Sequence, residues 1–177
     1  MLVILGIAAG ATGAGGQEGG ATAPGPLQGP PCPAPEMQQF QFWVGEWDVR
    51  WEQDGQKASG TNRIRTILGG CVLHEDFQGG GSEPLNGWSV STYDRLARKW
   101  KQTWVDNSGA YLDFTGEFRD GKMILGREAT GADGKNFLQR MVWYNITGKA
   151  FDWNWERSTD GGKTWTLVWK IAYTRRA

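Results

Sequence analysis

Residues 143–173 place the tightest limit on what this chain can fold into. Phe151, Trp153 and Trp155 alternate with Asp152, Asn154 and Glu156. After a tight turn, Trp165, Leu167, Trp169, Ile171 and Tyr173 alternate with Thr166, Val168, Lys170 and Ala172. A period of two puts the large side chains of each run on one face of a strand. One hairpin cannot hide so much aromatic surface, so the remaining chain has to supply the other walls.

The pattern recurs upstream. Trp47, Val49 and Trp51 alternate with Asp48, Arg50 and Glu52 as far as the Asp54-Gly55 turn. Strand-like runs follow at 56–68, 71–78, 88–93, 99–105, 111–119, 122–129, 136–146, 151–157 and 164–174. With the first run they make ten strands, separated mostly by short turns such as Asp120-Gly121 and Asp133-Gly134. Such turns join antiparallel neighbours, and no connection is long enough for a parallel crossover. Only residues 36–44 read as helical, with Met37, Phe40 and Val44 on one side. Ten strands with so little helix to cover sheet edges favour closure. The expected fold is all-β: a single antiparallel up-and-down barrel of about ten strands, with a short N-terminal helix over residues 36–44. Closing roughly eight to ten strands leaves room for one small ligand.

The segment before the strands differs in kind. Residues 1–35 hold six of the seven prolines, and their only charged residue is Glu18. Residues 1–14 read as a signal-like leader, because Leu2 begins a short apolar run that ends at Ala9-Gly10-Ala11, a small-residue cleavage pattern. No basic residue precedes the run. An exported protein, periplasmic or extracellular, is expected, with a merely disordered Ala/Gly leader as the alternative. The run is too short to span a bilayer, which takes roughly 20 residues. Residues 15–35, rich in Gly, Pro and Ala, read as a flexible tether, and 36–177 as the folded domain. Cys32 and Cys71 allow one internal disulfide; the loose setting of Cys32 favours two free thiols.

Net charge is zero and no basic stripe stands out, which disfavours a nucleic-acid partner. The single histidine, His74, excludes a His-rich metal site. Eleven tryptophans mean either a thick aromatic core or a lined pocket, because each indole buries a large area and carries an N–H that needs an acceptor. The candidate ligand-binding set is Trp88, Trp104, Trp143, Trp153 and Trp169, with Gln102 and His74 as polar handles. Trp100 and Trp155 belong to the same aromatic group. Gln102, Asn145 and Asn154 lie at matching alternation to accept indole N–H groups. In a filled core the same residues would simply pack.

No residue is assigned as catalytic. His74 and Asp76 share one strand face and form a conceivable acid–base pair; a histidine bonded to a strand neighbour is the plainer account. Asp113 and Glu117 also share a face, but four strand residues separate them by about 13 Å, too far for either glycosidase geometry. They read as solvated outer charges. Arg127, Glu128, Gln139 and Arg140 suggest a cross-strand polar ladder, and an inward Arg127 or Arg140 would suit a ligand carboxylate. Ser158, Asp160, Gly162, Thr164 and Trp165 fit the Asp-box pattern, present in one copy and read as a turn stabiliser.

Gly45-Glu46-Trp47 resembles the Gly-x-Trp signature of calycins, the superfamily of lipocalins and fatty-acid-binding proteins. The stretches 42–47, 68–70, 102–106 and 111–116 more closely resemble an uncharacterised bacterial calycin-like family, domain of unknown function fifteen seventy-nine. The resemblance covers residues 36–176 and implies a ten-stranded barrel, with no activity to carry over. It also implies that Trp47 closes the barrel floor beneath a basic residue of the last strand, either Arg175 or Arg176. Nitrobindin-type barrels hold haem through a histidine near the chain end; this chain has none there, so no cofactor is expected. The expected function is an exported carrier or sensor of a small, partly hydrophobic molecule. A structural or protein-interaction domain is the alternative, and an enzyme using His74 and Asp76 a further one.

Overall fold

The structure is a computed structural model that describes residues 35–53, 55–81 and 84–176. Its ten strands are β1 Gly45–Gln53, β2 Gln56–Ile67, β3 Val72–Gly79, β4 Asn86–Asp94, β5 Lys99–Asp106, β6 Tyr111–Arg119, β7 Lys122–Thr130, β8 Asn136–Tyr144, β9 Ala150–Ser158 and β10 Thr166–Arg175. Every strand pairs antiparallel with its sequence neighbours, and β1 pairs with β10 to close the barrel. The expected fold class is the observed one, a calycin-like up-and-down barrel.

Alternation within each strand fills the interior. Trp47 and Val49 of β1, Leu73 and Phe77 of β3, Met123 and Leu125 of β7, and Ile171 and Tyr173 of β10 are all buried. The helical segment is a 3-10 helix, Pro35–Trp43, that plugs one end. Met37, Phe40 and Trp43 point into the barrel. Phe40 stacks on Trp43 at 4.7 Å and meets Trp100 and Trp143 edge-on at 5.2 and 5.1 Å. Gln39 accepts the Trp100 indole N–H.

The same end is latched by the first and last strands. The guanidinium of Arg175 lies 4.1 Å over the Trp47 ring and donates to the carbonyls of Phe42, Val44 and Gly148. Arg175, rather than Arg176, is thus the basic partner; Arg176 pairs outside with Asp48. Gly45 explains its own place in the motif. Its φ is 139°, and a Cβ there would stand 2.2 Å from the Arg175 Nη1. A side chain at 45 would be strained and would push the arginine off the indole.

Three expectations need correction. Alternation placed Trp165 and Leu167 on the inner face with Trp169. A β-bulge between Leu167 and Trp169 reverses the facing there, so that Leu167 is exposed. Trp165 packs under Arg140 at 3.9 Å. The indole acceptors are also different. Gln102 donates to Ser89 and Ser91, Asn145 donates to Asp152, and Asn154 bonds Tyr144 and Glu156. Five indoles, those of Trp47, Trp88, Trp100, Trp104 and Trp165, instead use Trp43 O, Asp76, Gln39, Asp106 and Gly162 O. Finally, Cys71 is disulfide-bonded, not a free thiol. Cys32 lies outside the described residues, as do the leader at 1–14 and nearly all of the tether at 15–35.

Candidate functional site

Above the plugged end, the barrel keeps a cavity of about 320 Å³. Trp104, Trp143, Trp153, Trp155, Trp169, Phe77 and Phe114 form most of its wall. The cavity reaches the surface at the opposite end from the 3-10 helix, where Leu85, Asp106 and the exposed Val168 lie. The rings brace one another: Trp153 meets Trp169 at 5.7 Å and Trp51 meets Trp169 at 5.6 Å, both edge-on. Gly87 sets the pose of Trp104, because a Cβ at that position would lie 2.2 Å from the indole Cζ2. Asp106 fixes the other side of the same ring by accepting its N–H at 2.8 Å. Burial pulls the Asp106 carboxyl upward, but hydrogen bonds from Ser108, Trp104 and Ala110 outweigh it and hold the group below its ordinary range.

One wall is polar. Glu75 of β3 faces inward between Leu73 and Phe77 and is 6% exposed. Its Oε1 accepts from Asn62 Nδ2 at 2.7 Å, and its Oε2 accepts from Ser89 Oγ at 2.5 Å. Gln102 donates in turn to Ser89 and to Ser91. Asn62 Nδ2 also donates to the Tyr173 hydroxyl at 3.2 Å. Burial pushes the Glu75 carboxyl up to about 7, against the lowering effect of the Ser89 and Asn62 hydrogen bonds and with a smaller push from Asp76. Burial, reinforced by the charge of Glu75, also drives the Tyr173 phenol upward, so it stays protonated.

Of the seven candidate site residues, Trp104, Trp143, Trp153 and Trp169 come together around the cavity. Gln102 is buried at 3% exposure behind the polar wall and does not line the space. Trp88 and His74 face the outside of the barrel. Trp88 is 57% exposed, its N–H bonds Asp76, and His74 stands beside it at 6.0 Å. An acid–base pair of His74 and Asp76 therefore has no access to the interior. Asp113 and Glu117 lie on the outer face, bonded to Thr103 and Lys99 respectively. Arg127 is on the inward alternation and bonds Gln139. Arg140 is outward and pairs with Glu156 at 2.6 Å. Among the described residues, no group of three or more His, Cys, Asp or Glu is placed to hold a metal ion. No helix among them is long and apolar enough to cross a membrane.

Sequence reasoning passed over Glu75. The signal was present: Leu73, Glu75 and Phe77 share one parity, and His74, Asp76 and Gln78 share the other. Two flanking apolar residues at i−2 and i+2 mark the inward set.

Residues 32–175 match the family described as Protein of unknown function (DUF1579). The chain belongs to that family. For this DUF1579 member, no curated protein gives a match. Among solved structures, an S-type phycobiliprotein lyase from Guillardia theta is similar at a TM-score of 0.48 and 15% identity. That match covers 82% of this chain and 99% of the lyase.

Proposed function

We propose that this protein is an exported carrier or sensor that holds one small, largely apolar molecule inside its barrel. The observation that carries the reading is the 320 Å³ aromatic-walled cavity, closed at one end by the 3-10 helix and open at the other. Ligand pockets are concave and mainly apolar, with a few placed polar groups; Glu75 and Tyr173 fill that role here. Export is supported by the apolar leader and by the disulfide at Cys71, since disulfides persist in oxidising compartments.

Titration of the full chain with the uncharged fluorophore N-phenyl-1-naphthylamine tests the binding. Saturable enhancement at one site per chain is expected. Leu112→Trp, which adds bulk to the cavity wall, should weaken that binding at least tenfold. Binding that is absent, or unaffected by filling the cavity, overturns the proposal.

A second reading rests on the outer face. Register places Trp88 opposite Val105, and Val105 opposite Tyr111, so three exposed apolar residues stand side by side across β4, β5 and β6. Such a stripe suits a protein-interaction domain. Trp88→Ser leaving all self- or partner association unchanged counts against it.

A further inference from the structure

We propose that the cavity selects an organic cation: a hydrophobic amine whose protonated nitrogen sits against Glu75 while its apolar body lies among the tryptophans. The inference rests on the cavity being a binding site, and adds the charge and orientation of its occupant.

Three observations converge on it. First, the charged residues lining the cavity are Glu75 and Asp106, both acidic, and no lining residue is basic. Asp106 is occupied by the Trp104 N–H and by the loop at Ser108 and Ala110. Glu75 is the acid at the buried wall.

Second, the groups around Glu75 are arranged for a carboxylate. Asn62 donates to one oxygen and Ser89 to the other. Ser89 is oriented for this by Gln102, whose amide donates to the serine oxygen. A neutral carboxyl would have to reverse the Ser89 bond, which would leave the serine proton without its present acceptor. The network therefore supports a negative charge yet supplies no counter-charge. A buried carboxylate without a cation is costly, and a cation brought by the ligand removes that cost. Each oxygen retains lone-pair capacity beyond the one bond it accepts.

Third, the walls suit a cation. Indole faces attract ammonium groups more strongly than other aromatic rings do, and five lining tryptophans come from β5, β8, β9 and β10. A ligand carboxylate, by contrast, would meet Glu75 with no basic partner. Arg127 and Arg157 lie toward the open end and are already engaged. Arg127 donates to Gln139, and Arg157 lies 3.9 Å over the Phe137 ring.

The test is a matched series on the full chain: 2-(1-naphthyl)ethylamine, 2-(1-naphthyl)ethanol and 1-naphthylacetate, by isothermal titration. The amine should bind at least tenfold tighter than the alcohol, and the carboxylate weakest. Glu75→Gln should bring the amine to the level of the alcohol. Wild-type affinity for the amine should rise about tenfold from pH 6 to pH 8, as Glu75 ionises across its value near 7. Within that window Tyr173 stays neutral and Asp106 stays ionised. The pH profile needs no variant, so it stands even where Glu75→Gln misfolds. Equal binding of amine and alcohol, or tighter binding of the carboxylate, overturns this inference and leaves the cavity reading in place. No binding of any of the three overturns both.

Discussion

Glu75 shows how one residue can work against the fold that holds it. A carboxyl whose value rises from 4.5 to about 7 on folding binds its proton more tightly in the native state. Stability is then undiminished below the unfolded value, declines as pH rises between 4.5 and 7, and stays reduced above. The loss at pH 8 is about 3 kcal/mol, from the size of that shift. Glu75→Gln removes the charge and keeps the shape. We expect the variant to be more stable than the wild type at pH 8, by up to about 3 kcal/mol, with the gap closing toward pH 4.5. Urea denaturation at both pH values reads this directly; parallel curves with no pH-dependent gap refute it. A saturating amine should narrow the gap by about 1.4 kcal/mol, the equivalent of a tenfold preference for the wild type, because it finds no charge to pair with in the variant. Arg175 makes the opposite contribution. Its charge is partly buried but answered by three carbonyls and an indole face.

At the scale of elements, the 3-10 helix and the turn after β9 do different jobs. The helix seals the floor through Phe40, which is fully buried among Trp43, Trp100 and Trp143. Phe40→Ala should cost about 3–5 kcal/mol, the usual range for a large aromatic removed from a core. A loss under 1 kcal/mol in urea denaturation would mean the helix merely rests on the barrel. The turn is held by Asp160, whose Oδ1 accepts from Ser158, Lys163 N and Thr164 N and whose Oδ2 accepts from the Thr164 hydroxyl. These bonds, those of Thr164 foremost, keep its carboxyl well below the ordinary range. This turn was legible in the sequence because its chemistry is local: each partner lies within four residues. The strands were legible for a similar reason, since a period of two survives any tertiary context. What alternation does not carry is parity. One extra residue at Val168 turned Trp165 and Leu167 outward, and nothing in the pattern 164–174 marks it. Equally, His74 and Glu75 stand side by side in the sequence but on opposite sides of the wall, and the choice between them fell to the residues around them. Four of the five cavity tryptophans were found because bulk and period agreed; the polar wall was missed because Asn62, Ser89 and Glu75 come from three different strands.

For the whole molecule, closure is the decisive event. β1 and β10 pair through Trp47–Arg175, Asp48–Thr174, Val49–Tyr173 and Arg50–Ala172. Without β10 the barrel would lose Trp169, Ile171 and Tyr173 from its interior and leave β1 and β9 with unpaired edges. A chain ending at Trp165 should fail to form a stable monomer, seen as loss of near-ultraviolet dichroism and aggregation on gel filtration. A soluble truncated monomer that unfolds cooperatively would contradict this. The seam also has a meaning in time. β10 is the last strand in chain order, and its partner β1 is the first. Translation therefore delivers nine strands that cannot yet form a ring, and contacts of such long sequence separation form slowly. The cavity comes into existence only after the final strand has left the ribosome. A chain that stays open for so long is one that a translocation channel can still thread.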